Sequence, residues 1–206
     1  MPSFSPVCFQ LSCAVPLTTI SDKKTVKKIF LCIKKLPVIR KFDTGDQEQL
    51  VTYLAALGKE TRSYFGPHPF DINSLILFYQ DPKNTAYIAT EENRIVAYAI
   101  LRQGFLQHDA PRLSSYGLDL DPDTDASFAP SVADDWQGRG LGRLLFTYMI
   151  NDLSNGKVTR LILWGGVQTG NQRAVHYYQQ LGFRTLGYFE YHGWNADMVY
   201  EIPQKG

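Results

Sequence analysis

The chain has 206 residues, long for one minimal domain and short for two, so a single hydrophobic core with an extension is expected. Hydrophobic residues at 44% and charged residues at 20% describe an ordinary globular composition, and no apolar run approaches the roughly 18 residues of a membrane-spanning helix. Lys+Arg 21 against Asp+Glu 20 leaves a net charge of +1, which removes the electrostatic case for a nucleic-acid partner.

The first stretch, up to about Thr19, lacks a basic leader region and is interrupted by Pro6 and Pro16, so it reads as neither signal peptide nor regular element. Cys8, Cys13 and Cys32 have no disulfide or metal-site spacing, which favours a reducing cytoplasmic location. His68, His108, His176 and His192 are scattered, and no metal is expected. Lys23 to Lys35 sets six lysines around Val26, Ile29, Phe30 and Ile33, the pattern of a basic amphipathic helix with a solvated face. Residues 1–36 therefore read as an extension, and 37–206 as the domain.

Within that domain, Val38 to Phe42 can form a first strand. Asp43 to Asp46 offers helix caps, and Leu50, Tyr53, Leu54 and Leu57 supply a helical face that ends at Gly58. Gly66-Pro67-His68-Pro69 punctuates the chain, with His68 read as a rigid loop residue, before a helix over Asp71 to Tyr79 stopped by Asp81-Pro82. Thr85 to Thr90 and Ile95 to Leu101 alternate as a hairpin. Gln107 to Asp123 is rich in Pro, Ser and Asp and reads as loop. A strand from Asp125 to Ala133 follows, then a glycine turn and a helix from Leu141, a strand from Val158 to Trp164, and a helix from Asn171 to Leu181 closed by Gly182. Two final strands, Phe183 to His192 and Asn195 to Ile202, complete a mixed α/β sheet domain.

The glycine turn is Gln137-Gly138-Arg139-Gly140-Leu141-Gly142. Glycine in a helix costs about 1 kcal/mol relative to alanine, so three glycines in five residues at a helix start need a compensating reason. Close backbone approach is one: the orphan N–H groups of the first turn can converge on an anion, helped by the helix dipole. The plain alternative is that the glycines only ease a tight entry into the helix. The spacing is neither the dinucleotide G-x-G-x-x-G nor a Walker loop.

This stretch resembles motif A of the GNAT superfamily of acyl-CoA-dependent N-acyltransferases, Gln/Arg-x-x-Gly-x-Gly/Ala, with Gln137, Gly140 and Gly142 in the matching places. Asn171 to Phe183 is similar to the family's second signature, an asparagine opening a helix that ends in Tyr-x-x-Leu-Gly-Phe. The resemblance implies a mixed, mostly antiparallel central sheet flanked by helices and the use of acetyl-CoA. It implies main-chain contacts from Ser131 and Val132 to the pantetheine arm. Gln137, Gly138, Arg139, Gly140, Leu141, Gly142 and Arg143 would form the pyrophosphate cradle, and Asn171 would hydrogen-bond the coenzyme near its thiol. Read without the family, Asn171 is a helix N-cap and Tyr178 a core residue.

The implied activity is direct acetyl transfer to a primary amine of a small molecule or peptide, with no nucleic-acid or membrane partner and with the oligomeric state left open between monomer and homodimer. Tyr178 would face the sulfur and protonate the leaving thiolate, and a main-chain N–H near Val132 would polarise the carbonyl. The base is where the chain departs from its relatives. Protein N-terminus acetyltransferases of the superfamily carry glutamate five residues before the helix asparagine, where Gly166 stands, and others carry it on the strand before motif A, about where Ser127 stands. Asp125, two residues from Ser127 and on the same strand face, is the substitute base, although Pro130 suggests a bulge that would shift that count. The missing glutamate also motivates an alternative, an acyl-CoA-binding regulatory domain without turnover. Acceptor-shaping residues would be Tyr53, Tyr64, Phe65, Phe70, Tyr191 and Trp194.

Overall fold

In the computed structural model the described residues are 37–204, and the expected basic helix at Lys23 to Lys35 lies outside them. Eight strands form one twisted sheet: β1 (Val38–Lys41), β2 (Asn84–Glu91), β3 (Arg94–Gln103), β4 (Asp125–Val132), β5 (Arg160–Leu163), β6 (Val167–Gln168), β7 (Arg184–Glu190) and β8 (Trp194–Glu201). The order is β1-β2-β3-β4-β5-β8-β6, with β7 on the other edge of β8. Only β4 and β5 run parallel, so the sheet is mixed and mostly antiparallel, as expected.

The helices are α1 (Gln47–Ala56), α2 (Lys59–Tyr64), α3 (Ile72–Gln80), α4 (Ala110–Ser115), α5 (Leu141–Leu153) and α6 (Gln172–Leu181). Among the described residues the two larger of three hydrophobic clusters lie on opposite faces of the sheet. On one, Leu50, Leu54 and Leu75 of α1 and α3 pack on Ile88, Tyr98 and Ile100. On the other, Leu145, Phe146 and Met149 of α5 pack on Ala97, Ala99, Phe128 and Phe183. The period-2 alternation of β3 feeds both, which is why the strand reads as an almost unbroken apolar run.

Local chemistry accounts for the element ends that the sequence marked. Glu92 and Asn93 take left-handed φ of 47° and 63°, as a tight two-residue hairpin between β2 and β3 requires. Asp71 caps α3 by accepting the Ser74 N–H, and Gly182 closes α6 at φ 97°. Two helices were not expected. Helix α2 is a six-residue turn whose Thr61 is held by Asp134. Helix α4 interrupts the loop read over Gln107 to Asp123, because Leu113 is buried against Ile162 and Val199 and Arg112 is paired to Asp197 of β8. These are tertiary contacts, which override its loop-like composition.

Strands β4 and β5 pair only over Asp125 to Phe128 and end on the bond from the Trp164 N–H to the Phe128 carbonyl at 2.9 Å. Beyond it the two strands part. Pairing of β4 with β3 continues in uniform register to Val132, so Pro130 carries no bulge there, contrary to expectation.

Candidate active site

The splay between β4 and β5 fixes which backbone groups are free. Along an antiparallel ladder the N–H and C=O of alternate residues point to opposite edges. The Ala133 N–H donates to Val96, so odd-numbered residues of β4 face β3, and even-numbered ones face β5, as the Phe128 carbonyl does. Past Phe128 this leaves the Pro130 carbonyl and the Val132 N–H on the open edge. Proline has no N–H to lose there. Ser131 points the other way: its main chain is turned to β3, and its hydroxyl is 3.0 Å from the Tyr53 hydroxyl. The expected main-chain contact of Ser131 is therefore corrected, since β3 already uses those groups, and Val132 alone keeps a free donor.

The chain then turns through a short 3₁₀ segment, Asp134 to Trp136, into the glycine stretch. Gln137 does not project into a cradle. Its side-chain amide donates to the Val132 carbonyl at 3.0 Å and to the Thr61 hydroxyl at 3.2 Å, tying the turn to the end of β4 and to α2. Asp134 adds a second tie, accepting from the Gly58 N–H at 2.7 Å and the Thr61 hydroxyl at 2.6 Å, and these bonds hold its carboxyl below the usual range.

Gly138 and Gly140 both have positive φ, 71° and 79°, and a Cβ on either would meet nothing within 4 Å. The space over them is open. Gly140 is the N-cap of α5 without any side-chain cap, and the first intrahelical bond is Leu144 to Gly140, so the N–H groups of Leu141, Gly142 and Arg143 have no helical acceptor. The Leu141 side chain is buried in the core, leaving only its amide to face outward. Arg139 lies over the Trp136 ring at 5.4 Å, and Arg143 is exposed. A group of uncapped amides beneath open space, flanked by two arginines, fits a pyrophosphate.

Gly142 has a different reason to be glycine. A Cβ there would stand 3.1 Å from the Tyr177 ring, and the Tyr177 hydroxyl donates to the Gly142 carbonyl at 3.0 Å. The contact staples α6 to the start of α5. Tyr177 was not singled out in the sequence, where only its pairing with Tyr178 could have hinted at it.

Two of the expected site residues, Asn171 and Tyr178, belong to the N-cap and body of α6. Asn171 caps α6 through its Oδ1, which accepts the Ala174 N–H at 3.1 Å, leaving its amide N–H groups for a ligand. Tyr178 is half-buried, edge-on to Phe183 at 5.3 Å. Burial raises the Tyr178 pKa, with a smaller push from Tyr177, so the phenol is protonated at neutral pH. Among the described residues its hydroxyl has no hydrogen-bond partner.

Neither site expected to supply a base holds a carboxylate that could serve. Asp125 is fully buried at the far end of β4, with its oxygens 2.7 and 2.8 Å from the Arg160 guanidinium and a further bond from the Asp121 N–H. Its lone pairs are committed to that ion pair, so its expected role as base is corrected. Gly166 has φ 73°, and a Cβ there would stand 2.9 Å from both the Ala196 carbonyl and the Phe189 ring. The backbone excludes a side chain where relatives carry glutamate.

The loop residue His68 is more than a rigid spacer. It is buried, with Nδ1 2.8 Å from the Pro69 carbonyl, which makes Nδ1 the donor and leaves Nε2 to accept the Tyr98 hydroxyl at 3.0 Å. Tyr98 in turn bonds the Tyr79 hydroxyl. Burial lowers the His68 pKa and keeps the ring neutral. Tyr191 and Trp194 are exposed near the tip of the β7–β8 hairpin, whereas Tyr53 and Phe65 are core residues. Among the described residues no group of His, Cys, Asp and Glu could hold a metal, and no helix is long and apolar enough to cross a membrane.

Comparison with known proteins bears on the family and the fold. Residues 54–183 match the sequence model of the Acetyltransferase (GNAT) family. Three similar solved structures are the GNAT domain of S. lividans PAT, the ribosomal-protein-S18-alanine N-acetyltransferase from Escherichia coli, and the aminoglycoside acetyltransferase AAC(6')-Ib in complex with coenzyme A. They are 18, 21 and 20% identical, with TM-scores of 0.64, 0.55 and 0.60. The matches cover 81, 83 and 80% of this chain and 90, 97 and 94% of those chains. No curated protein sequence matches the chain.

Proposed function

Because the chain belongs to the GNAT acetyltransferase family, we propose that it transfers the acetyl group of acetyl-CoA directly to a primary amine of a small molecule or protein. The observation that carries the reading is the Val132 N–H left on the open edge of β4, on the strand that leads into the uncapped amides of α5. Two of the neighbours are named for acceptors of these two kinds, a ribosomal-protein alanine and an aminoglycoside.

Acetyl-CoA supplies an activated acyl group and a thiolate leaving group. The amides of Leu141, Gly142 and Arg143 hold its pyrophosphate, and the Asn171 amide N–H groups bind its arm near the sulfur. Val132 donates to the carbonyl oxygen as negative charge grows there. The C–N bond forms as the C–S bond breaks, Tyr178 gives its proton to the departing sulfur, and the amine proton leaves to water. At a reference pKa of about 10.4, making a lysine-like amine neutral at pH 7 costs about 4.6 kcal/mol. With Asp125 locked and Gly166 bare, no side chain is assigned that cost.

The bare Gly166 position also favours a second reading, a regulatory domain that binds acyl-CoA without turnover. Acetyl-CoA titration followed by measurement of thiol release with an amine panel separates the two. Release with at least one amine supports the transferase, and tight binding with none supports the regulator.

A further inference from the structure

One face of the sheet beside the splay carries aromatic rings from a helix, a loop and two strand segments. Ile162 and Trp164 share one face of β5, where Ile162 packs under α4 and Trp164 stands 6.2 Å from Phe78 of α3. Trp164 thus sits between the two helices, at the point where β5 leaves β4. Gly187 and Phe189 share the same face of β7: Gly187 is pressed against Tyr116, just past α4, and Phe189 lies against the Gly166 backbone. Phe70 reaches this face from the loop before α3. Phe70, Phe78, Trp164 and Phe189 are all half-buried, neither sealed core nor free surface.

Phe189 is held in place from behind. The Arg112 guanidinium of α4 stacks on its ring at 3.6 Å while donating to Asp197 at 2.7 Å and Asp109 at 2.8 Å, both of them buried carboxylates. Where relatives carry a glutamate, this chain presents an aromatic ring on a fixed cation. Of the carboxylates beside these rings, Asp109 and Asp197 are paired to Arg112, and exposed Asp71, next to Phe70, caps α3 through one oxygen. Such a surface offers a polycation little to pair with, and it offers a flat apolar body several rings to pack on.

From this arrangement we infer that the acceptor is an amine carried on an aromatic body, received between α3 and α4 with Trp164 and Phe189 as its walls. The inference rests on the acetyltransferase reading. Phe189 is its specificity-determining residue, and Arg112 is a positioning residue acting through it.

The test is coenzyme A release from acetyl-CoA by the full chain with phenethylamine, n-propylamine and spermidine. The expected result is a kcat/KM for phenethylamine at least tenfold above that for n-propylamine, as burial of a phenyl ring provides, with spermidine lowest. Phe189→Leu should shrink the phenethylamine preference severalfold and leave the Kd for acetyl-CoA unchanged, and Arg112→Met should do so to a smaller degree. Equal or better turnover of n-propylamine or spermidine by the unmodified protein overturns the inference without touching the acetyltransferase reading, and so does a preference that survives Phe189→Leu. Release with none of the amines, despite acetyl-CoA binding, removes both.

Discussion

The three glycines of the turn should separate into two classes when each is given a side chain. Valine at Gly140 must adopt φ near 79°, which costs an L-residue about 1–2 kcal/mol, or a fall in Tm of roughly 2–8 °C for a domain of this size. Its side chain would enter the open space over the turn and bar approach to the uncapped amides of Leu141 to Arg143. Losing two charge-assisted hydrogen bonds, at about 1.5–3 kcal/mol each, weakens coenzyme binding by on the order of 10²-fold or more. Alanine at Gly142 sits in helical backbone, where it gains about 1 kcal/mol of propensity against about 1–3 kcal/mol for crowding Tyr177 at 3.1 Å. Its stability should fall by no more than about 2 kcal/mol, and its coenzyme affinity should fall less than tenfold. Isothermal titration with coenzyme A, well below the melting temperature of each variant, measures both. A Gly140→Val protein that is folded and binds within twofold of the parent would refute the cradle, as would a Gly142→Ala protein that binds more weakly than it.

Tyr178→Phe should lower kcat at saturating amine while the Kd for acetyl-CoA holds, and unaltered kcat removes the general-acid role. Asp125→Asn should cost up to about 3 kcal/mol by leaving the Arg160 guanidinium half-paired, seen as a lower urea midpoint. Its kcat in folded protein should be that of the parent, and a collapse of kcat at unchanged coenzyme affinity would restore Asp125 as a base. Because the folded pKa of His68 is lowered while the unfolded value is about 6.5, the unfolded chain binds the extra proton as pH falls through that range. Stability should therefore drop by up to about 1.4 kcal/mol per pH unit below pH 6.5. His68→Gln should flatten that part of the Tm profile, and a slope identical to the parent's would assign it to other groups.

What could be read in advance was what is encoded within a few residues. The Glu92-Asn93 hairpin, the Asn171 cap, the Gly182 stop and the glycine turn are local chemistry, and each lies where its residues indicated. What could not be read depends on partners distant in the chain. Arg160, 35 residues beyond Asp125, turns a candidate base into half of an ion pair. Tyr177 stands at the same separation from Gly142 and gives that glycine a packing role. Helix α4 exists because Arg112 finds Asp197 across 85 residues, and nothing in its Pro- and Ser-containing sequence announces that contact. The direction of Ser131 could not be known before the register of β3 on β4 was fixed, since a slip of one residue exchanges it with Val132.

Pro130 bears on a hazard every sheet faces. An unpaired strand edge invites another strand, yet β4 carries one in the middle of the sheet. The pyrrolidine ring leaves that edge with one donor, Val132, and one free acceptor, the Pro130 carbonyl, because Gln137 already occupies the Val132 carbonyl. A polypeptide seeking a full ladder meets a row with its rungs missing, whereas a single extended arm that offers one amide contact at a time finds all it can use. The missing N–H of Pro130 thus selects against a peptide strand in the gap. Pro130→Ala, by restoring the N–H, should raise the tendency of the coenzyme-free protein to self-associate.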